Sequence, residues 1–152
     1  MPTKIHVKNI PTGYQTFISN GRHSILGDEP VHSKGTDLGF SPTDLILSSL
    51  AMCKVGTVRN VARRKGWTIG DVDAVLEQVV KRAADGKLST HVRVAMRIEG
   101  EITQEQRDEL LREADACYVH RMIKGDWFIQ EAVDLPVTEN TAAALDPSHN
   151  GK

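Results

Sequence analysis

SPTDLILSSLAMCKVGTVRNVARRK, residues 41–65, decides how the rest of the chain is read. It begins with a helix start signal. Ser41 can cap, Pro42 suits the first helical position, and Asp44 places a carboxylate in the first turn, where the helix dipole favours it. It ends with Arg63, Arg64 and Lys65, followed by Gly66 as a stop. Residues 45–53 carry no charge, and Leu45, Ile46, Leu47, Leu50, Ala51, Met52 and Cys53 cover more than one face of a helix. That pattern predicts a buried helix with a cysteine near its middle. At roughly 1.5 Å per residue it runs about 37 Å. A chain of 152 residues can hardly wrap such a helix alone, so a second copy is expected to help cover it.

Outward from this helix the elements segregate. Residues 4–10 alternate in polarity and read as a strand. Residues 14–19 read as a second, and Asn20-Gly21 is a strong hairpin signal leading to a third over 22–26. Residues 27–40, rich in Gly, Pro, Asp and Ser, form a loop into the helix. After Gly66, residues 72–81 and 89–98 read as two strands joined through Asp85-Gly86. Thr103 with Gln106 has the form of a capping box, opening a second helix with Leu110, Leu111 and Ala114 as its apolar stripe and Cys117 at its end. A short third helix is predicted over 119–124 and a last strand over 127–135. The polar tail from residue 137 is expected to be poorly ordered. Strands and helices that do not strictly alternate point to an α+β fold with a largely antiparallel sheet, in one domain over residues 1–136.

A net charge of −1 gives no sign of a nucleic-acid partner or an anionic membrane surface. No apolar run reaches the roughly 20 residues of a membrane span, and the first residues lack a signal-peptide core. A cytoplasmic protein is expected, with Cys53 and Cys117 reduced and any bridge between them transient. Each cysteine can be read as a small buried hydrophobe, or the two as a redox pair in which one thiol attacks and the other resolves. Their spacing does not choose between these. Cys53 lies too far from the start of its helix for the dipole to act on it, so a cation from elsewhere would have to hold its thiolate. Arg22 is the best candidate, and a solvated turn arginine is the plainer reading. His120, three residues after Cys117, is either a surface or packing residue or half of a metal pair. No second Cys/His pair completes a zinc site, so no metal is expected.

Taken together, these pieces resemble the OsmC/Ohr family, the osmotically inducible protein C and organic hydroperoxide resistance proteins. The matching segments are Gly21-Arg22-His23, Asp28-Glu29-Pro30, the run from Gly39 to Cys53, then Thr57, Val58, Ala62, Arg64-Lys65-Gly66-Trp67, Gly100, Ile102-Thr103 and Cys117-Tyr118-Val119-His120-Arg121. They span roughly residues 20–135.

The resemblance implies the element order read above and an intertwined homodimer with its long helices buried together and its sites at the subunit interface. It implies thiol peroxidase chemistry: Cys53 as peroxidatic thiolate, Cys117 as resolving thiol, and Arg22 as the cation that holds the thiolate and orients the peroxide. No cofactor is implied beyond an external thiol or dithiol reductant. The apolar setting of Cys53 suits an organic hydroperoxide. The alternative is an OsmC-like dimer that binds a small apolar or thiol-reactive ligand with little turnover. One departure motivates it. The hydroperoxide-resistance members carry a glutamate at the start of the long helix, where this chain has Thr43, with Asp44 next. Thr43, Asp44 and His120 are therefore possible supporting residues. Lys34-Gly35 stands where a glycine pair is common, and Tyr118 where proline is common. These departures place the chain nearer the broad OsmC-like branch.

Overall fold

A computed structural model describes residues 2–135 except Thr12. The expected polar tail lies outside the described residues. The fold is mixed α+β, with antiparallel sheets and three helices. It forms two compact units: one from the chain up to Leu45 with the chain from Phe128 onward, the other from Ile46–Trp127.

The first unit holds β1 (His6–Asn9), β2 (Thr16–Ser19) and β3 (Ser24–Gly27), all antiparallel, with Ile18 opposite both Val7 and Ile25. The Asn20-Gly21 signal marks the turn between β2 and β3. The Asn20 side chain accepts from the amides of Arg22 (3.0 Å) and His23 (2.8 Å), and Gly21 takes the left-handed φ of 88°. The loop after β3 is pinned by Asp28, whose buried carboxylate accepts from the Glu29 amide (2.7 Å), the Leu38 amide (3.1 Å) and the Thr36 hydroxyl. These donors, the Thr36 hydroxyl foremost, hold the Asp28 carboxyl below its ordinary pKa. In the same loop Lys34 sits at φ 66°, a left-handed conformation that suits glycine better than a lysine.

The long helix, α1 (Pro42–Arg64), starts and stops as its sequence predicts. Ser41 Oγ accepts from the Asp44 amide (3.2 Å), and Asp44 returns its carboxylate to the Ser41 amide (2.9 Å) and hydroxyl (2.7 Å). These bonds hold Asp44 below its ordinary pKa. At the far end Gly66 has φ 69°, its amide donates to Arg63 O, and the Trp67 amide reaches back to Ala62 O. This is a Schellman stop.

In the second unit β4 (Val72–Arg82) and β5 (Leu88–Ile98) form a hairpin through Asp85-Gly86. Next comes α2 (Gln104–Asp115) with the predicted capping box: Gln106 N to Thr103 Oγ1 at 3.1 Å, and Thr103 N to Gln106 Oε1 at 2.9 Å. The last helix is α3 (Tyr118–Lys124). Val58, Val61 and Ala62 of α1 pack with Ile98, Leu110 and Ala114 to form the core, and Leu111 joins its edge.

Two expectations need correction. Residues 127–135 form no strand. They pair with no ladder, and Phe128 and Ile129 are 93% and 84% exposed. β propensity alone does not make a strand without a partner edge. Second, α1 is long and apolar enough by length and composition to cross a membrane, contrary to the reading that no segment qualifies. Its second half is nonetheless the core helix of an α+β unit. In the single chain α1 is buried along Leu50, Lys54, Val58, Val61 and Ala62, whereas Ile46 (58%) and Met52 (73%) are exposed. A single chain supplies too little apolar surface to enclose the helix on all sides.

Candidate active site

Both cysteines are unbridged and belong to the second unit. Cys53 rides mid-way along α1 and is half-buried, and Cys117 is buried at the corner between α2 and α3. The corner is short because α2 ends at Asp115 and α3 begins at Tyr118. Leu110 and Ala114 press α2 against α1, so the corner falls beside the middle of α1.

Cys117 caps α3. Its backbone is extended (φ −62°, ψ 152°), and its sulfur accepts from the His120 amide at 3.4 Å. The next free amide of that turn, Val119 N–H, donates instead to the Cys53 sulfur, also at 3.4 Å. The first turn of α3 therefore holds both sulfurs, one with each of two consecutive amides. Burial pushes the Cys117 thiol above its ordinary pKa. The His120 amide works against burial, the adjacent Cys53 thiol adds to it, and Lys54 opposes it. A buried thiol that keeps its proton until it is needed suits a resolving role rather than an attacking one.

His120, an expected supporting residue, stands in this cluster, but its Nδ1 faces the ammonium of Lys54 at 3.2 Å. Burial foremost, then the charge of Lys54, lowers the pKa of the imidazole. Among the described residues no three His, Cys, Asp or Glu side chains cluster as metal ligands.

Lys54 itself escaped the sequence reading. It is 1% exposed, and its ammonium also meets Asp115 Oδ1 (2.8 Å) and Ala114 O (3.2 Å). One signal was available. Leu50, Lys54 and Val58 recur every four residues, so the lysine lies on the stripe that α1 buries.

Arg22, Thr43 and Asp44 belong to the first unit. Arg22 is exposed on the β2–β3 turn, held by its own amide on Asn20, and among the described residues it makes no ion pair. Thr43 Oγ1 lies 3.1 Å from Ser41 Oγ, and Asp44 spends its carboxylate on Ser41, so both serve the start of α1.

Residues 35–131 match the family model described as OsmC-like protein. No curated protein matches the chain. Among solved structures it is similar to a Psychrobacter arcticus protein named for an osmotic-stress-induced detoxification response, with 25% identity over 80% of this chain and 88% of that one and a TM-score of 0.67. The organic hydroperoxide resistance protein OsmC of Legionella pneumophila shares 18% identity over 82% and 90% of the two chains (TM-score 0.65). OhrB of Bacillus subtilis, an organic hydroperoxide resistance protein, shares 17% over 83% and 93% (TM-score 0.62). The family match covers well over half of the chain: the chain belongs to the OsmC-like protein family.

Proposed function

We propose that the protein is a thiol-dependent peroxidase that reduces organic hydroperoxides in the cytoplasm as part of oxidative-stress defence. The observation that carries this reading is the convergence of two free thiols on one helical turn, where consecutive amides donate to the Cys53 and Cys117 sulfurs at 3.4 Å each.

Cys53, as thiolate, attacks the terminal peroxide oxygen. The O–O bond breaks, an alcohol leaves after taking up a proton, and Cys53 becomes a sulfenic acid. The Cys117 sulfur then attacks the Cys53 sulfur. The S–S bond forms, and the hydroxyl leaves as water with the Cys117 proton. An external dithiol reduces the bridge and completes the cycle. Arg22 is assigned to hold the thiolate and orient the peroxide, and a homodimer brings the long helices together. The exposed Ile46 and Met52 on α1 and Val75 and Val79 on β4 are apolar surface of the kind a second copy would cover. No cofactor is needed.

A second reading has its own observation. The glutamate of the dedicated hydroperoxide-resistance enzymes is absent, and Asp44 is committed to the helix cap. A chain without that acid could keep the fold as a binder of a small apolar or thiol-reactive ligand. Free thiols counted before and after one equivalent of an alkyl hydroperoxide, with mass analysis of the peptides, separate the two. Rapid loss of both thiols with a Cys53–Cys117 link supports the peroxidase. Two thiols still free after prolonged exposure support the binder.

A further inference from the structure

Lys54 has the geometry of a part built for a purpose. A lysine withdrawn from water must have its ammonium fully paired, and this one has three protons and three acceptors: Ala114 O (3.2 Å), Asp115 Oδ1 (2.8 Å) and His120 Nδ1 (3.2 Å). The acceptors flank Cys117 on both sides. Two belong to the end of α2 and one to the first turn of α3. Cys117 lies between them in extended backbone, and Lys54 immediately follows Cys53 on α1.

We propose that Lys54 is a positioning residue for the thiol pair: its ammonium ties the end of α2 and the start of α3 to α1, holding Cys117 and the Val119 amide against Cys53, and fixes His120 in its Nε2–H tautomer. This rests on the reading of Cys53 and Cys117 as attacking and resolving thiols. The step it governs is closure: the sulfenic acid of Cys53 and the thiol of Cys117 give a disulfide and one water, the oxidant being an alkyl hydroperoxide.

The tautomer follows from charge. An ammonium donates only, so the Nδ1 facing it accepts and the ring proton sits on Nε2. The groups facing His120 are Lys54 from α1, Asp115 from α2, and Lys124 of its own helix, with the Arg121 guanidinium beside them. β5 presents Thr90, Val92 and Val94 to the same cleft, none of them charged. Burial foremost, then Lys54 and Lys124, oppose an imidazolium there, while Asp115 favours one.

The test is Lys54→Met in the full chain, pulsed with an alkyl hydroperoxide and trapped with dimedone. The expected result is a first step close to wild type, with the Cys53 sulfenic acid persisting about tenfold longer or more, as a displaced partner group slows a geometry-dependent step. His120, followed by NMR, should titrate at higher pH in Lys54→Met and at lower pH in Asp115→Ala, an opposition of sign that lost packing, which only raises the value, would not produce. Asp115→Ala is the second variant because its carboxylate is 72% exposed and the change should leave the fold intact. It should slow closure in the same direction, by up to about fivefold, the scale of an exposed charge pair. Closure at wild-type rate in Lys54→Met, or in Asp115→Ala if the first variant does not fold, overturns the proposal. Diamide, a general thiol oxidant, keeps the two readings apart. Wild-type protein that bridges with diamide but ignores the hydroperoxide defeats the peroxidase. If Lys54→Met then slows the diamide bridge, the positioning role survives.

Discussion

The amide nitrogen of Val119 stands 3.4 Å from the sulfur of Cys53, so the turn that carries Cys117 also touches the other thiol. Each sulfur has one such amide, and the two cysteines differ in burial. Cys53 is half-buried on a helix, and Cys117 is buried with its proton retained. Cys53→Ser should therefore lose all rapid reaction with an alkyl hydroperoxide. Cys117→Ser should keep the first step and stop at a sulfenic acid, seen as one added oxygen on the Cys53 peptide. Equal loss of the first step in both variants would falsify the division of roles.

Substrate choice should follow from the apolar stretch of α1 that leads to Cys53. The uncharged run of residues 45–53 contains Leu47, Leu50 and Met52, and Cys53 itself is only partly covered. An alkyl group that settles against such surface gains about 0.8 kcal/mol per buried CH2, close to a fourfold effect. Second-order rate constants should thus rise from hydrogen peroxide through tert-butyl to cumene hydroperoxide. A flat series would remove the organic-hydroperoxide preference and leave a general thiol peroxidase.

The His120 ring makes stability depend on pH in a direction that can be worked out. Burial and Lys54 lower its folded pKa below the ordinary 6.5, so the unfolded chain binds the proton more readily. The contribution is fully present above about 6.5, declines as pH falls through that value, and levels off below the folded pKa. Urea midpoints measured from pH 8 to 5 should fall, and His120→Gln should flatten the slope. A wild-type midpoint that does not change over that range would show that the ring is not held neutral.

Much of this architecture can be read from short-range chemistry. Ser41 with Asp44, Gly66, Asn20-Gly21, Asp85-Gly86 and Thr103 with Gln106 each satisfy or terminate a few neighbouring backbone groups, so their identities are enough to predict them. The strand expected over 127–135 fails for the opposite reason: a strand needs an edge supplied from elsewhere, and local pattern cannot say whether one is offered. The two cysteines were legible as candidates but not as neighbours, because the α2–α3 corner that joins them to α1 depends on tertiary packing by Leu110 and Ala114. Lys54 was hidden by its type. A lysine reads as solvated until its three acceptors are located, and those come from two other helices. Arg22 illustrates the limit: its turn is legible, its guanidinium's role is not.

The start of α1 offers a clean energetic test. Ser41 Oγ caps the Asp44 amide, and Asp44 answers with its carboxylate on Ser41. Ser41→Ala removes the hydroxyl from both interactions and should cost about 1 kcal/mol in urea unfolding, as for other cap losses. Because Ser41 holds Asp44 below its ordinary pKa of 3.8, the contribution of the acid is present above that value and is lost as pH falls through the folded pKa. The difference between wild type and Ser41→Ala should therefore shrink below about pH 3.8. A difference that does not change with pH would mean that the hydroxyl alone caps the helix.

Tyr118 occupies the first position of α3, a place made for proline. Its amide is one of the helix-start donors that has no partner within the helix. Cys117 before it is already extended at φ −62° and ψ 152°, the conformation a following proline requires. Tyr118→Pro should thus restrict the unfolded chain without straining the folded one, raising stability by about 0.4–1 kcal/mol. The thiol geometry should persist, because Val119 and His120 keep the amides that hold the two sulfurs. The measurements are the urea midpoint and the rate of disulfide closure. The tyrosine ring is 69% exposed in a single chain, so its loss should remove little packing. A midpoint that falls instead of rising would show that the ring is covered in solution, and the same experiment repeated over a range of protein concentrations would reveal whether a second copy covers it.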